Sequence, residues 1–255
     1  MNAVCVQLDI AWEDKQANFA KVRSLLAAAD VPRGALIVLP EMFSTGFSMD
    51  VEAVCESRER PAEGFLAALA ADCGSAVLGG VVTRAADGRG QNEALLVGPD
   101  GGPIARYVKM HPFSYAGETE HYAPGDGPVV ARYGGMTLSP LVCYDLRFPE
   151  AFRAAAAGGA ELLVVIANWP EPRADHWRTL LRARAIENQA YVIGVNRTGA
   201  DPNARYAGGS VVVDPRGRIV ADAGDAERTI SAQLDPAALR DYRREFPALK
   251  DMRRP

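Results

Sequence analysis

Cysteine and histidine are scarce in this chain of 255 residues, with four of the first and three of the second. Cys5, Cys55, Cys73 and Cys143 stand far apart with no CxxC pair, which argues against a disulfide framework. His111, His121 and His176 form no HxxxH or HxH pattern and none lies near a cysteine, so the clustered ligands of a zinc site are missing and no metal is expected. Neither sign of charge prevails. There are 28 Lys and Arg against 32 Asp and Glu, a net charge of -4, and the arginines are dispersed among acids. That leaves no basic footprint for nucleic acid. No apolar run approaches the roughly 18 residues of a membrane span, and Met1 to Leu8 lacks the basic region and longer apolar core of an export signal. The expectation is a cytoplasmic protein with no membrane partner. Repeats, low-complexity tracts and blocks of like charge are also absent.

What is present is a chain that is 48% hydrophobic, enough to bury a sizeable core as one domain over residues 1–255. Apolar runs rich in Val, Ile and Leu recur at Val4–Leu8, Leu36–Leu39, Val77–Val82, Ala94–Val97, Leu138–Cys143, Leu162–Ala167, Tyr191–Val195 and Val211–Val213. They read as mostly buried strands. Between them lie helical spacings: Phe19, Val22, Leu25 and Leu26; then Phe65, Leu66 and Leu69; then Trp177, Leu180, Leu181 and Ile186. The alternation gives an α/β class. Turn chemistry at Pro99–Gly102 and Asp214–Gly217 adds antiparallel hairpins, which suit mixed sheets covered by helices. From about Asp235 a charged amphipathic helix carries Leu239, Tyr242 and Phe246 on one face. It suits either the core of its own subunit or a neighbour.

The most informative segment is Leu138–Glu150, an apolar run that ends in Cys143 and turns at once into Tyr144-Asp145-Leu146-Arg147-Phe148-Pro149. A strand that delivers a thiol to its own end holds it rigidly against a pocket in the loops above. The same position also suits an inert buried cysteine. Two other strands end alike. Glu41 follows Leu36–Leu39 and Pro40, and Lys109 follows Ile104–Val108. Each alone reads as an ordinary boundary or surface residue. Together they are complementary: a thiol near its usual pKa of about 8.5 is only slightly ionised at neutral pH, and a base and a cation are two ways to activate it.

In these settings, Glu41, Lys109 and Cys143 in that order resemble the nitrilase superfamily of carbon–nitrogen hydrolases. Ala167-Asn168-Trp169-Pro170 and the run Ala183–Asn196 narrow the resemblance to the bacterial ω-amidase branch, and the similarity extends from Val4 to about Phe246. It implies an αββα sandwich, two mixed β-sheets flanked by helices, paired into a homodimer and needing no cofactor. It also implies Glu41 as base, Lys109 as electrostatic stabiliser and Cys143 as the nucleophile that forms a thioester. A second glutamate of the family matches Glu118 rather than Glu120, on the Gly117-Glu118 pair and the spacing to Gly125.

The implied substrate is a small-molecule amide, the ω-amide of a short 2-oxo dicarboxylic acid such as 2-oxoglutaramate or 2-oxosuccinamate. Nitriles, N-carbamoyl amines and other small amides demand the same thiol attack and remain alternatives, as does a binding protein that has lost turnover. A substrate carboxylate needs a cation, and Arg173 on the proline-rich loop after Trp169 is the candidate. Tyr144, Trp169 and Phe43 are candidate walls of the pocket. Arg147 and Arg178 read as braces, the first for Asp145 and Glu150, the second for Asp175 and Trp177.

Overall fold

In the first strand Ala3 and Cys5 point to one side and Val4 and Val6 to the other, and all four are fully buried. A strand apolar on both faces must be covered on both faces. The structure is a computed structural model that describes residues 1–253. Its first half supplies β1 (Asn2–Gln7), β2 (Leu36–Val38), β3 (Ala76–Arg84), β4 (Gly90–Val97) and β5 (Pro103–Val108). Then come β6 (Ala131–Tyr133), β7 (Met136–Val142), β8 (Leu162–Ala167), β9 (Tyr191–Asn196), β10 (Thr198–Ala200), β11 (Arg205–Ala207), β12 (Val211–Val213), β13 (Ile219–Asp222) and β14 (Arg228–Gln233).

These strands form two six-stranded mixed sheets, in the orders β14-β1-β2-β3-β4-β5 and β13-β12-β9-β8-β7-β6, with β10 and β11 as a separate hairpin. Each sheet has three parallel strands at its centre, β1-β2-β3 and β7-β8-β9, with antiparallel strands outside them. The helices are α1 (Lys15–Ala27), α2 (Val51–Val54), α3 (Pro61–Cys73), α4 (Glu118–His121), α5 (Pro149–Ala157), α6 (Ala174–Asn188) and α7 (Pro236–Glu245). Phe19 and Val22 of α1, with Phe65, Leu66 and Leu69 of α3, cover Val4, Val6 and Ile37 on the outer face of the first sheet. Phe152 of α5 and Trp177 and Leu181 of α6 join the core that also holds Ala3, Cys5, Leu36 and Val38 between the sheets. The architecture is therefore an αββα sandwich.

Local chemistry explains the boundaries. Asp14 accepts from the Ala17 N–H to start α1, and Asp235 accepts from Ala237 and Ala238 to start α7. Pro61, Pro149 and Pro236 occupy first helical turns. Both expected hairpins are present, β4–β5 and β12–β13. Ile186 departs from the expectation: it is 52% exposed, and the buried stripe of α6 runs through Trp177, Leu181 and Ala185 instead. Of the C-terminal face only Leu239 enters the core, while Phe246 stays exposed. Arg243 anchors α7 by donating to the carbonyls of Gln189 and Ala160. Four short strands, β6, β10, β11 and β13, and the six-residue β14 with its half-exposed alternation lack the apolar runs that mark most of the others.

Candidate active site

The carboxyl ends of the parallel strands open toward one cavity of about 520 Å³, the usual place for a ligand in an open α/β sheet. Glu41 lies three residues beyond β2, Lys109 directly follows β5, Cys143 directly follows β7, and Asn168 directly follows β8. The first two come from one sheet and the last two from the other. Gly80 permits the approach: a Cβ there would stand 2.2 Å from the Met42 backbone nitrogen and 2.7 Å from the Glu41 Cα.

Beneath the cavity Glu41, Lys109 and Glu118 are 0–1% exposed. Lys109 Nζ donates to Glu41 Oε1 at 3.0 Å and to Glu118 Oε2 at 2.8 Å. Asn92 Nδ2 bridges the same two carboxylates, 2.7 Å from Glu41 Oε1 and 3.0 Å from Glu118 Oε1. Glu41 Oε2 accepts the Asn168 peptide N–H at 2.7 Å, and Glu118 Oε2 accepts that of Phe113. Buried charges so placed persist because each is paired and hydrogen-bonded. Burial alone would push the Lys109 ammonium down, but the charges of Glu118 and then Glu41 hold it above the ordinary lysine range.

Cys143 has φ +46° and begins a 3-10 turn, Cys143–Arg147. A left-handed non-glycine residue costs on the order of 1–3 kcal/mol, and such strain persists only where the surroundings over-determine it. Asp145 supplies that determination. Its fully buried carboxylate accepts from the Val142 N–H at 2.9 Å and the Tyr107 hydroxyl at 2.7 Å, and from the His111 N–H at 3.0 Å. One side chain thus ties the end of β5 to the elbow after β7. Cys143 reaches the cavity, with Sγ 3.9 Å from the Asn168 carbonyl oxygen. Burial and then the Glu41 charge push its thiol well above the ordinary range, against the opposing pull of Lys109. Burial thus outweighs the neighbouring cation in setting the protonation of this thiol.

The cavity is lined by Tyr144 and Arg147 on the turn after the thiol, Trp169 and Arg173 on the loop after β8, Phe113 and Tyr115 opposite, and the tip of β10–β11. Arg173 lies over the Phe113 ring at 5.5 Å and Arg147 over Trp169 at 4.8 Å. Among the described residues neither forms a salt bridge with a carboxylate. Three expectations need correction. Phe43 does not line the cavity: Met42, at φ +43°, turns the chain, and Phe43 packs with Phe19 and Phe65 in the outer core. Arg147 does not brace Asp145, whose lone pairs are taken by Tyr107, His111 and Val142, and it faces the cavity instead. Arg178 does brace the fold, but through Asp222 at 2.7 Å.

Asn92 and the hairpin residues Asp201, Asn203 and Tyr206 were not singled out from the sequence. A buried asparagine inside an apolar strand was the available signal for the first. The hairpin offers none. No group of three or more potential metal ligands exists among the described residues, and no helix there is long and apolar enough to cross a membrane.

Residues 2–244 match the family model described as carbon-nitrogen hydrolase. The chain is 41% identical over 251 residues to the ω-amidase YafV of Escherichia coli K12, covering 96% of this chain and 94% of that one. It is 32% identical to a 2-oxoglutaramate amidase of Bacillus subtilis, covering 98% and 96%. A solved CN-hydrolase superfamily protein from Xanthomonas campestris, carrying an arsenic adduct in its active site, superposes with a TM-score of 0.93 at 34% identity, covering 100% and 97%.

Proposed function

The chain belongs to the carbon–nitrogen hydrolase family, and from that premise we propose that it cleaves the ω-amide of short 2-oxo dicarboxylic acid monoamides. 2-Oxoglutaramate and 2-oxosuccinamate would give the 2-oxo acid and ammonia. The observation that carries this reading is a thiol facing a cavity with two half-buried arginines, Arg147 and Arg173, neither of which pairs with a carboxylate among the described residues. Relatives named for ω-amidase and 2-oxoglutaramate amidase activity support it.

The proposed chemistry has two halves. Cys143 Sγ attacks the amide carbon as Glu41 takes the thiol proton, so a C–S bond forms and the carbonyl π pair moves to oxygen. Lys109 and the Tyr144 peptide N–H stabilise that oxyanion. Collapse breaks the C–N bond, Glu41 returns the proton to nitrogen, and ammonia leaves a thioester. Water then adds with its proton passing to Glu41, the C–S bond breaks, and Cys143 recovers a proton as the acid departs. Four donors fill the acceptor sites of Glu41, and the longest bond, from Asn168 Nδ2 to Oε2 at 3.4 Å, is the one an incoming proton displaces. Glu118 and Asn92 hold Lys109 and Glu41 in place. Arg173 and Arg147 are the carboxylate clamp, with Trp169 and Tyr144 as walls.

Steady-state kinetics on 2-oxoglutaramate, 2-oxosuccinamate, glutamine and a simple nitrile, with Cys143→Ala as control, tests this reading. Turnover of the 2-oxo amides is expected. Turnover of the nitrile alone points to nitrile hydrolysis, and silence on all four to a binding role. The reading includes a cytoplasmic homodimer that uses no cofactor, acting as a single catalytic domain. Light scattering should give twice the 27.3 kDa chain mass, and a monomer removes the dimer.

A further inference from the structure

Asp201 is the one carboxylate among the described residues that line the cavity, and the proposed chemistry makes no use of it. An acid beside two arginines would ordinarily quench them and repel an anionic substrate. Here its valence is spent elsewhere. Its side chain is 1% exposed. Oδ1 accepts the peptide N–H groups of Asn203 and Ala204, both at 2.8 Å. Oδ2 accepts the Tyr206 hydroxyl at 2.6 Å. Burial and then Asp201 itself push the Tyr206 phenol up, so it remains a donor at every working pH.

Arg197 completes the arrangement from behind. It is fully buried and lies over the Tyr206 ring at 4.4 Å. Nε donates to the Thr198 carbonyl, and Nη2 to those of Ile10 and Ala200. Nη1 has no hydrogen-bond partner and stands 3.6 Å from Asp201 Oδ2. A buried guanidinium with an unbonded nitrogen is costly, and here that nitrogen is aimed at the Asp201 carboxylate while Nη2 stands 3.5 Å from Asp9 Oδ1 on the other side. At the rim Glu171 and Arg205 sit 3.7 Å apart, both largely exposed, and offset one another.

We infer that Tyr206 and Arg197 are positioning residues that mask Asp201, so that the cavity presents only the positive charge of Arg147 and Arg173 and selects amides of 2-oxo acids over amides of amino acids. The selectivity rests on the ω-amidase reading. 2-Oxoglutaramate and glutamine differ at one carbon, where the amino acid carries an ammonium beside its carboxylate. With the carboxylate on an arginine, that ammonium lies near the same cation and finds no free anion. Rejection follows from an unpaired, partly desolvated charge rather than from size.

Tyr206→Phe removes the hydroxyl and keeps the ring under Arg197. The ratio of kcat/KM for 2-oxoglutaramate to that for glutamine is expected to fall about tenfold, chiefly through KM. The double variant Tyr206→Phe with Asp201→Asn, which cannot present a charge, is expected to restore it. A proportional fall for both substrates, or no restoration, overturns the mask and leaves a merely structural hairpin. A second readout is independent of substrate. Cys143 displaces iodide from iodoacetate or iodoacetamide, forming a C–S bond as its proton passes to solvent, and peptide mapping gives each rate. The iodoacetate-to-iodoacetamide ratio should drop severalfold in Tyr206→Phe and recover in the double variant. A ratio that does not move overturns the inference. Should the wild type release ammonia from neither amide, the ω-amidase reading fails while the alkylation ratios still decide whether Asp201 is masked.

Discussion

The floor of the cavity and its mouth follow opposite rules. At the floor, Glu41, Lys109 and Glu118 are at most 1% exposed and each charge meets an opposite charge or a hydrogen-bond donor. At the mouth, Arg147 and Arg173 are half-buried, lie on aromatic rings and meet no carboxylate among the described residues. The floor spends its valence on itself. The mouth leaves its positive charge unpaired, with Arg147 meeting only the His176 ring nitrogen, at 3.2 Å. Bond-making needs groups fixed before the substrate arrives, because reorganisation during reaction adds to the barrier, whereas recognition needs groups that gain a partner only when the substrate binds.

The sharpest break in that comparison comes at the floor. Cys143→Ala should lower kcat by about four orders of magnitude or more, with no acyl adduct on the chain by mass spectrometry. An adduct on Cys5, Cys55 or Cys73 would move the nucleophile. Next is Glu118→Gln, which leaves Lys109 with Glu41 as its one carboxylate partner. Its kcat should fall about 100-fold, with little change in KM. A rise in KM alone would assign Glu118 to the mouth. Smaller effects belong to the clamp. Arg173→Ala and Arg147→Ala should each raise KM for 2-oxoglutaramate about tenfold or more and leave kcat within a few-fold, since a charged hydrogen bond contributes about 1.5–3 kcal/mol. If neither moves KM, the carboxylate is held elsewhere.

A last effect, on stability and leaving turnover at neutral pH untouched, sets Cys143 against a cysteine with no cavity. Cys5 lies between the sheets, and burial alone pushes its thiol from 9.0 up to about 12. The folded chain therefore keeps a proton that the unfolded chain loses above pH 9. The stability so contributed is complete below pH 9 and is lost as pH rises toward 12, on the order of 2 kcal/mol between pH 9 and 11. Urea midpoints at pH 8 and pH 11 should fall further for the wild type than for Cys5→Ala, and equal falls would contradict the burial argument.

The groups most legible in the sequence were those whose position is a local property. Glu41, Lys109 and Cys143 each follow an apolar strand, and the strand's end is visible in the run itself. Glu118 sits on a one-turn helix with no such marker, and its choice over Glu120 came from resemblance. Asn92 shows in the sequence only as a polar residue in an apolar strand, because its role depends on carboxylates 51 and 26 positions away. Phe43 misled for a related reason. Being two residues from Glu41 suggested the pocket, but the left-handed Met42 between them sends the ring to the opposite side of the sheet. Arg147 misled because Asp145 and Glu150 looked like partners until Asp145 proved to be filled by Tyr107, His111 and Val142.

By itself the sequence determined the α/β class, the strands that end in reactive side chains and the chemical kind of each, because hydrophobic period and turn residues act over a few neighbours. Only the tertiary structure decided which charges are matched and which remain free. Arg147 and Arg178 are the same residue type in similar company, yet one faces the cavity and the other is held by Asp222. Pairing depends on elements folded against one another from distant parts of the chain. The field a substrate meets is the sum of those pairings, and no single stretch of residues contains it.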